Sequence, residues 1–193
     1  ASYWAWLVGA ILLIASYLLD GGPGGGRASA VDLWIAAMGV LLLAVLTAAV
    51  SLATTVLALR TDGLTLARTP LFAWSVLVAS VVWLLTLPVL VGQLVLIYVD
   101  HKHGGSSFAG DKVFFSQLGW IFRNPQAYAV AIPALGFAAD VMITSSGRRL
   151  VQRTLALGAI STFGVLSFGA FLASGSDKAL QSPTTVILRL LAP

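Results

Sequence analysis

The stretch Ile121 to Tyr128 reads IFRNPQAY, a polar insertion inside a long apolar run. Arg123, Asn124 and Gln126 offer one cation and two carboxamides, and Tyr128 adds a phenol. Asn124 and Tyr128 are four residues apart, so on a helix they share one face, one turn apart. A carboxamide in lipid lacks a partner, so both side chains are expected to point into a bundle. There Asn124 would hydrogen-bond across helices, a contact worth about 1 kcal/mol or less. Tyr128 reads as a cavity-lining aromatic with a bonded hydroxyl. Arg123 costs several kcal/mol at membrane depth unless paired or hydrated. It either snorkels to the interface or stands as a fixed charge in a cavity. Asp140 lies about 25 Å further along a helix, too far to pair with Arg123. Arg148 or Arg149 is expected to neutralise it instead.

Other groupings with chemical potential are sparse. His101 and His103 flank Lys102 in DHKHGG and could hold a metal with Asp100, but no further ligand is well placed. The chain has no cysteine, which removes disulfides, thiolate metal sites and Cys-based catalysis. Its seven acids are all aspartate. GGPGGG is followed by no Gly-Lys-Ser/Thr, so it is not a phosphate-binding loop. No Ser-His-Asp set can be assembled in the membrane.

The elements that must position these residues are apolar helices. Of 193 residues, 59% are hydrophobic and 9% charged, against about a quarter charged in an ordinary soluble domain. The solvent is therefore mostly lipid. The net charge of +4 is scattered among apolar segments, which argues for membrane topology and against nucleic acid. The pattern predicts an all-α, polytopic transmembrane helix bundle forming one membrane domain over residues 1–193. Its five spanning segments are 4–19, 31–59, 71–99, 113–143 and 150–174. The first is marginal in length, and no charged n-region marks a cleavable signal peptide. The chain opens on Ala1, as a processed protein or a piece of a longer one would. A further apolar patch, Thr184 to Ala192, is too short to span.

Punctuation between the segments is clear. DGGPGGGRAS (Asp20 to Ser29) reads as a flexible turn-rich loop, Asp100 to Lys112 as a polar loop, and Thr144 to Arg149 as a tight turn. Ser29 with Asp32 fits a capping box, and Thr69–Pro70 reads as N-cap followed by first helical residue. Pro88 and Pro125 are expected to open the helical hydrogen-bond ladder. If five helices alternate, one side carries Arg60, Arg68, Arg148, Arg149 and Arg153 against a single acid, Asp62. The other side is nearly balanced. The positive-inside rule makes the arginine side, and the N-terminus, cytoplasmic in a bacterial-type inner membrane.

TPLFAWSVLVASVVWLLTLPVL (Thr69 to Leu90) resembles the fifth membrane helix of subunit I of cytochrome c oxidase, in the haem–copper oxidase family. AVDLW (Ala30 to Trp34) is similar to the opening of that family's fourth helix, and QLGWIFRNPQAYAVAIPALG (Gln117 to Gly136) to its histidine–proline–glutamate–tyrosine stretch. The resemblance runs in the right order from about the third helix to the seventh. It implies haem and copper in the family, other oxidase subunits and the lipid bilayer as partners, and a place in an aerobic respiratory chain with electron and proton transport.

The family's copper-binding histidine falls on Asn124 here, its proton-carrying glutamate on Gln126, and the glycine before the histidine on Arg123. Pro125 and Tyr128 match. The family's His-His pair falls near Ala170 and Phe171. The resemblance therefore implies a degenerate active site: Asn124, Gln126 and Arg123 occupy the site positions, and Tyr128 is the remaining candidate catalytic residue. This chain alone is expected to bind no metal or cofactor. Haem ligands would lie on helices outside the region covered. Three functions follow from these residues: a non-catalytic relative or fragment; part of a working terminal oxidase that reduces oxygen and pumps protons; or a proton or ion conduit using Gln126, Tyr128 and Asp140.

Overall fold

The computed structural model describes residues 2–22, 26–59, 65–103, 125–147 and 152–174. Among these the fold is all-α: α1 (Ser2–Leu18), α2 (Ala28–Ala58), a 3-10 turn (Leu66–Arg68), α3 (Leu71–His103), α4 (Pro125–Ser146) and α5 (Arg153–Ser174). Three helices, α2, α3 and α4, are long and apolar enough to cross a bilayer. α1 has 17 residues, or about 25 Å, short of a hydrocarbon core of about 30 Å.

The helices differ in several places from the ends expected. α3 continues through Asp100 to His103, where a loop was expected, and α4 runs through Ser146 before Gly147 turns the chain at φ 61°. Arg123 and Asn124 fall outside the described residues, as does the stretch 113–124 of the fourth segment. Pro88 lies inside α3, which carries on past it; having no N–H, it leaves the Leu84 carbonyl without its usual donor. Pro125 is instead the first residue of α4, where a missing N–H costs nothing. A further proline, Pro133, sits within α4.

The chain divides into two compact units, Ala1–Ala49 with Leu84–Trp120, and Val50–Trp83 with Ile121–Pro193. In the first, α1 presents small residues to α2. A Cβ on Gly9 would stand 2.8 Å from Leu41 Cγ, so only glycine permits this approach. α1 ends in a Schellman cap: Gly21 N–H reaches Ser16 O at 2.9 Å and Asp20 N–H reaches Tyr17 O at 3.3 Å. Asp20 takes the left-handed conformation there, with φ 63°. The start of the glycine-rich stretch is thus a built turn, closed by Arg27 N–H on Asp20 O at 3.0 Å. The capping box at Ser29 and Asp32 does not form. Arg27 O accepts the first bonds of α2, and Asp32 reaches across to Lys102 Nζ at 2.5 Å on the last turn of α3.

In the second unit Ala79 and Val82 of α3 pack on Ala129 and Ile132 of α4, flanked by Ile160 and Phe163 of α5. Buried hydroxyls inside these helices bond to their own backbone: Ser75 to Phe72 O at 2.7 Å, Ser80 to Val76 O at 2.8 Å and Ser167 to Gly164 O at 2.6 Å. Such back-bonding satisfies a hydroxyl without water. Among the described glycines of this unit, Gly136 sits closest to a neighbouring helix. An added Cβ would lie 2.0 Å from Ser75 Oγ and 3.0 Å from the Leu71 carbonyl.

This contact yields a paired test by thermal unfolding in detergent. Gly136→Val should destabilise the protein by about 1–3 kcal/mol through overpacking. Gly158→Ala meets no atom within 4 Å and should be neutral or stabilising by up to about 1 kcal/mol.

Candidate functional site

Tyr128 occupies the first turn of α4 and is half-buried. Its ring meets Phe163 of α5 edge-on, with centroids 5.6 Å apart and planes at 63°. Its neighbour Ala129 is buried against α3. Tyr128 therefore packs between α4 and α5. Asn124 and Arg123 lie outside the described residues. Gln126 is placed in the first turn of α4 by the backbone alone. Ala170 and Phe171 lie in the last turns of α5. Phe163 as the partner of Tyr128 has no sequence signature beyond being apolar.

His101 and His103 do not converge. His101 Nε2 lies 3.8 Å from Asp32 Oδ1, while His103 Nδ1 contacts Val99 O at 3.0 Å. Among the described residues no three His, Cys, Asp or Glu side chains gather as metal ligands.

The polar contacts of the second unit concentrate at the start of α3. Pro70 O accepts the Trp74 N–H at 3.0 Å, so Pro70 stands at the N-cap and brings no side-chain acceptor. Thr69, the expected cap, instead donates its hydroxyl to Leu66 O at 2.7 Å. Asp140 of α4 supplies the cap: Oδ1 accepts Leu71 N–H at 3.2 Å and Oδ2 accepts Phe72 N–H at 2.9 Å. A carboxylate at a helix N-terminus also faces the positive end of the macrodipole. Arg153, the first residue of α5, binds the preceding turn. Its Nε donates to Ala67 O at 3.1 Å and its Nη2 to Thr69 O.

The expected neutralisation of Asp140 by Arg148 or Arg149 falls outside the described residues; among those described, its two oxygens accept from backbone N–H groups. The sequence signal that could have shown this is the proline at position 70, which leaves a helix start without a local acceptor. Between α3 and α5 runs an apolar groove of about 280 Å³, lined by Trp74, Val78, Val81, Ser161, Gly164 and Val165 among others. Its polar atoms are satisfied internally: Trp74 Nε1 donates to Ser161 Oγ at 3.0 Å, and that hydroxyl donates to Leu157 O at 2.9 Å.

These features define an all-helical membrane protein whose polar residues serve helix ends. The model of the family described as Cytochrome C and Quinol oxidase polypeptide I matches residues 1–172. The chain belongs to that family. Relatives include a probable cytochrome c oxidase subunit 1-beta from Nocardia farcinica, 32% identical over 83% of this chain and 31% of the relative. Quinol oxidase subunit 1 of Bacillus spizizenii is 28% identical over 86% of this chain and 28% of its own. Cytochrome c oxidase subunit 1 of Cereibacter sphaeroides is 29% identical, over 86% and 33% respectively. The chain thus spans about a third of the length of the curated relatives it matches.

The Asp140 contact can be measured directly. Asp140→Ala should cost about 1–2 kcal/mol by stranding two N–H donors, and Asp140→Asn should cost less because one oxygen still accepts. Thermal melts of the detergent-solubilised variants against the wild type give both values.

Proposed function

We propose that this chain is a membrane segment of the subunit I type, from an aerobic respiratory chain, that does not itself build the family's copper centre. The observation carrying this reading is the donor set. The positions that resemble the copper ligands are Asn124, Ala170 and Phe171, and the chain's two histidines are His101 and His103. A copper ion prefers imidazole nitrogen, and none of the three positions offers one. His101 and His103 are drawn to Asp32 and the Val99 carbonyl. The residues present do not fit copper, and no step of oxygen chemistry is assigned to them. Tyr128, set edge-on to Phe163, acts in this reading as a packing and cavity-lining residue.

The second reading is a contribution to a working terminal oxidase that pumps protons. It is favoured by the relatives' names and by their extra length, which leaves room for haem-bearing helices. Other oxidase subunits are partners under either reading. The arginine excess at 60–70 and 144–153 supports a cytoplasmic N-terminus in a bacterial-type inner membrane.

Metal analysis and oxygen uptake of the purified chain test the first reading. Neither copper nor uptake is expected, and Asn124→His should restore neither, because it supplies one ligand of three. Stoichiometric copper that survives replacement of His101 and His103 would overturn the non-catalytic reading. For orientation, reporter fusions after Gly25 and Gly105 should both report the external side; a cytoplasmic signal from either rejects the topology.

A further inference from the structure

We propose that the end of the second unit where the 3-10 turn meets α3 and α5 seats an anionic phospholipid, its phosphate on Arg68 and Arg153 and one acyl chain in the apolar groove between α3 and α5. Arg153 binds the carbonyls of Ala67 and Thr69, the residues on either side of Arg68. Arg153 is thereby held against the short turn that carries Arg68. Arg68 is exposed, and Arg153 keeps Nη1 donors beyond those given to the backbone. Among the described residues neither guanidinium has a carboxylate within ion-pair distance; the ion pairs found there involve Asp32. Asp140 keeps its charge while it accepts from Leu71 and Phe72 N–H. By sequence this end carries Arg60, Arg68, Arg148, Arg149 and Arg153 against Asp62 and Asp140, so an excess of positive charge remains, and guanidinium matches phosphate geometrically.

The groove gives this site its second half. It opens at Trp74, one turn into α3, and at Ser161, about 12 Å along α5 from Arg153. From there it runs past Val78, Val81, Gly164 and Val165. Val81 is 45% and Val165 69% exposed, so the groove is open along its side. With the Trp74 and Ser161 polar atoms already paired, it offers no hydrogen bond and suits a hydrocarbon chain. A cationic end with an apolar channel beginning about 12 Å along α5 from it matches a lipid better than a free anion. Either orientation of the chain puts this end at a headgroup layer.

The test uses the purified full chain, delipidated in detergent and titrated with phosphatidylglycerol carrying brominated acyl chains, read by tryptophan quenching. Arg68→Gln should weaken binding by about fivefold, while Arg27→Gln leaves it unchanged. Brominated phosphatidylcholine should bind more weakly than phosphatidylglycerol. Trp74→Phe should remove a large share of the quenching without changing the midpoint. Millimolar inorganic phosphate should not displace the lipid. Wild-type affinity in Arg68→Gln, equal binding of the two lipids, quenching unaffected by Trp74→Phe, or displacement by phosphate would each overturn the proposal. The last of these would assign the arginines to a free anion.

Discussion

The start of α3 is the point on which the second unit depends. A helix of 33 residues begins after a proline, and its first N–H groups have no local acceptor. Those donors are answered by Asp140 from α4, 68 residues away in sequence from Phe72, whose carboxylate also faces the positive end of the helix dipole. Arg153 from α5 fixes the turn just before it. One helix start is thus tied to both helices that pack against it. The apolar contacts among Ala79, Val82, Ala129 and Ile132 follow in register from those ties, because lipid gives apolar helices little reason to prefer one another.

That arrangement also explains why small residues recur where they do. Gly136 lies one turn before Asp140 on α4 and faces Ser75, one turn after Leu71 on α3. The carboxylate can reach two backbone N–H groups because the helix carrying it comes that close. The glycine and the aspartate are two parts of one contact: the first sets the distance, the second uses it. Gly9 against Leu41 does comparable work in the other unit, without a charged group to exploit the approach.

The fold class was legible because composition and apolar length survive any detail of packing. The described helices overlap the five apolar segments, and the resemblance carried by Thr69 to Leu90 named the family that the comparison with known proteins bears out. Helix ends were less legible. Thr69 and Ser29 both have the right type for a cap, yet the acceptors at these starts are Asp140 on another helix and, for α2, the Arg27 carbonyl. At α3 a carboxylate from a neighbouring helix fills the place of a local cap, and a local rule cannot foresee it. Asp100 to His103 looked like loop because it is polar, but a helix can carry polar residues past the membrane edge, and here Lys102 gains Asp32 by staying helical.

For the family site, legibility lay in residue type more than in geometry. The ring of Tyr128 meets Phe163, a hydrocarbon surface. An aromatic ring set edge-on to a phenyl ring gains packing energy of about 0.5–1.5 kcal/mol, so the contact stabilises the helix pair whether or not electrons ever reach the phenol. The carboxamides at 124 and 126 are legible by type alone, as side chains that hydrogen-bond and carry no charge. The fold and the chemistry must therefore be argued from different atoms: the fold from the start of α3, where Asp140 and Arg153 bind backbone groups, and the chemistry from residue type at positions 124, 126 and 128.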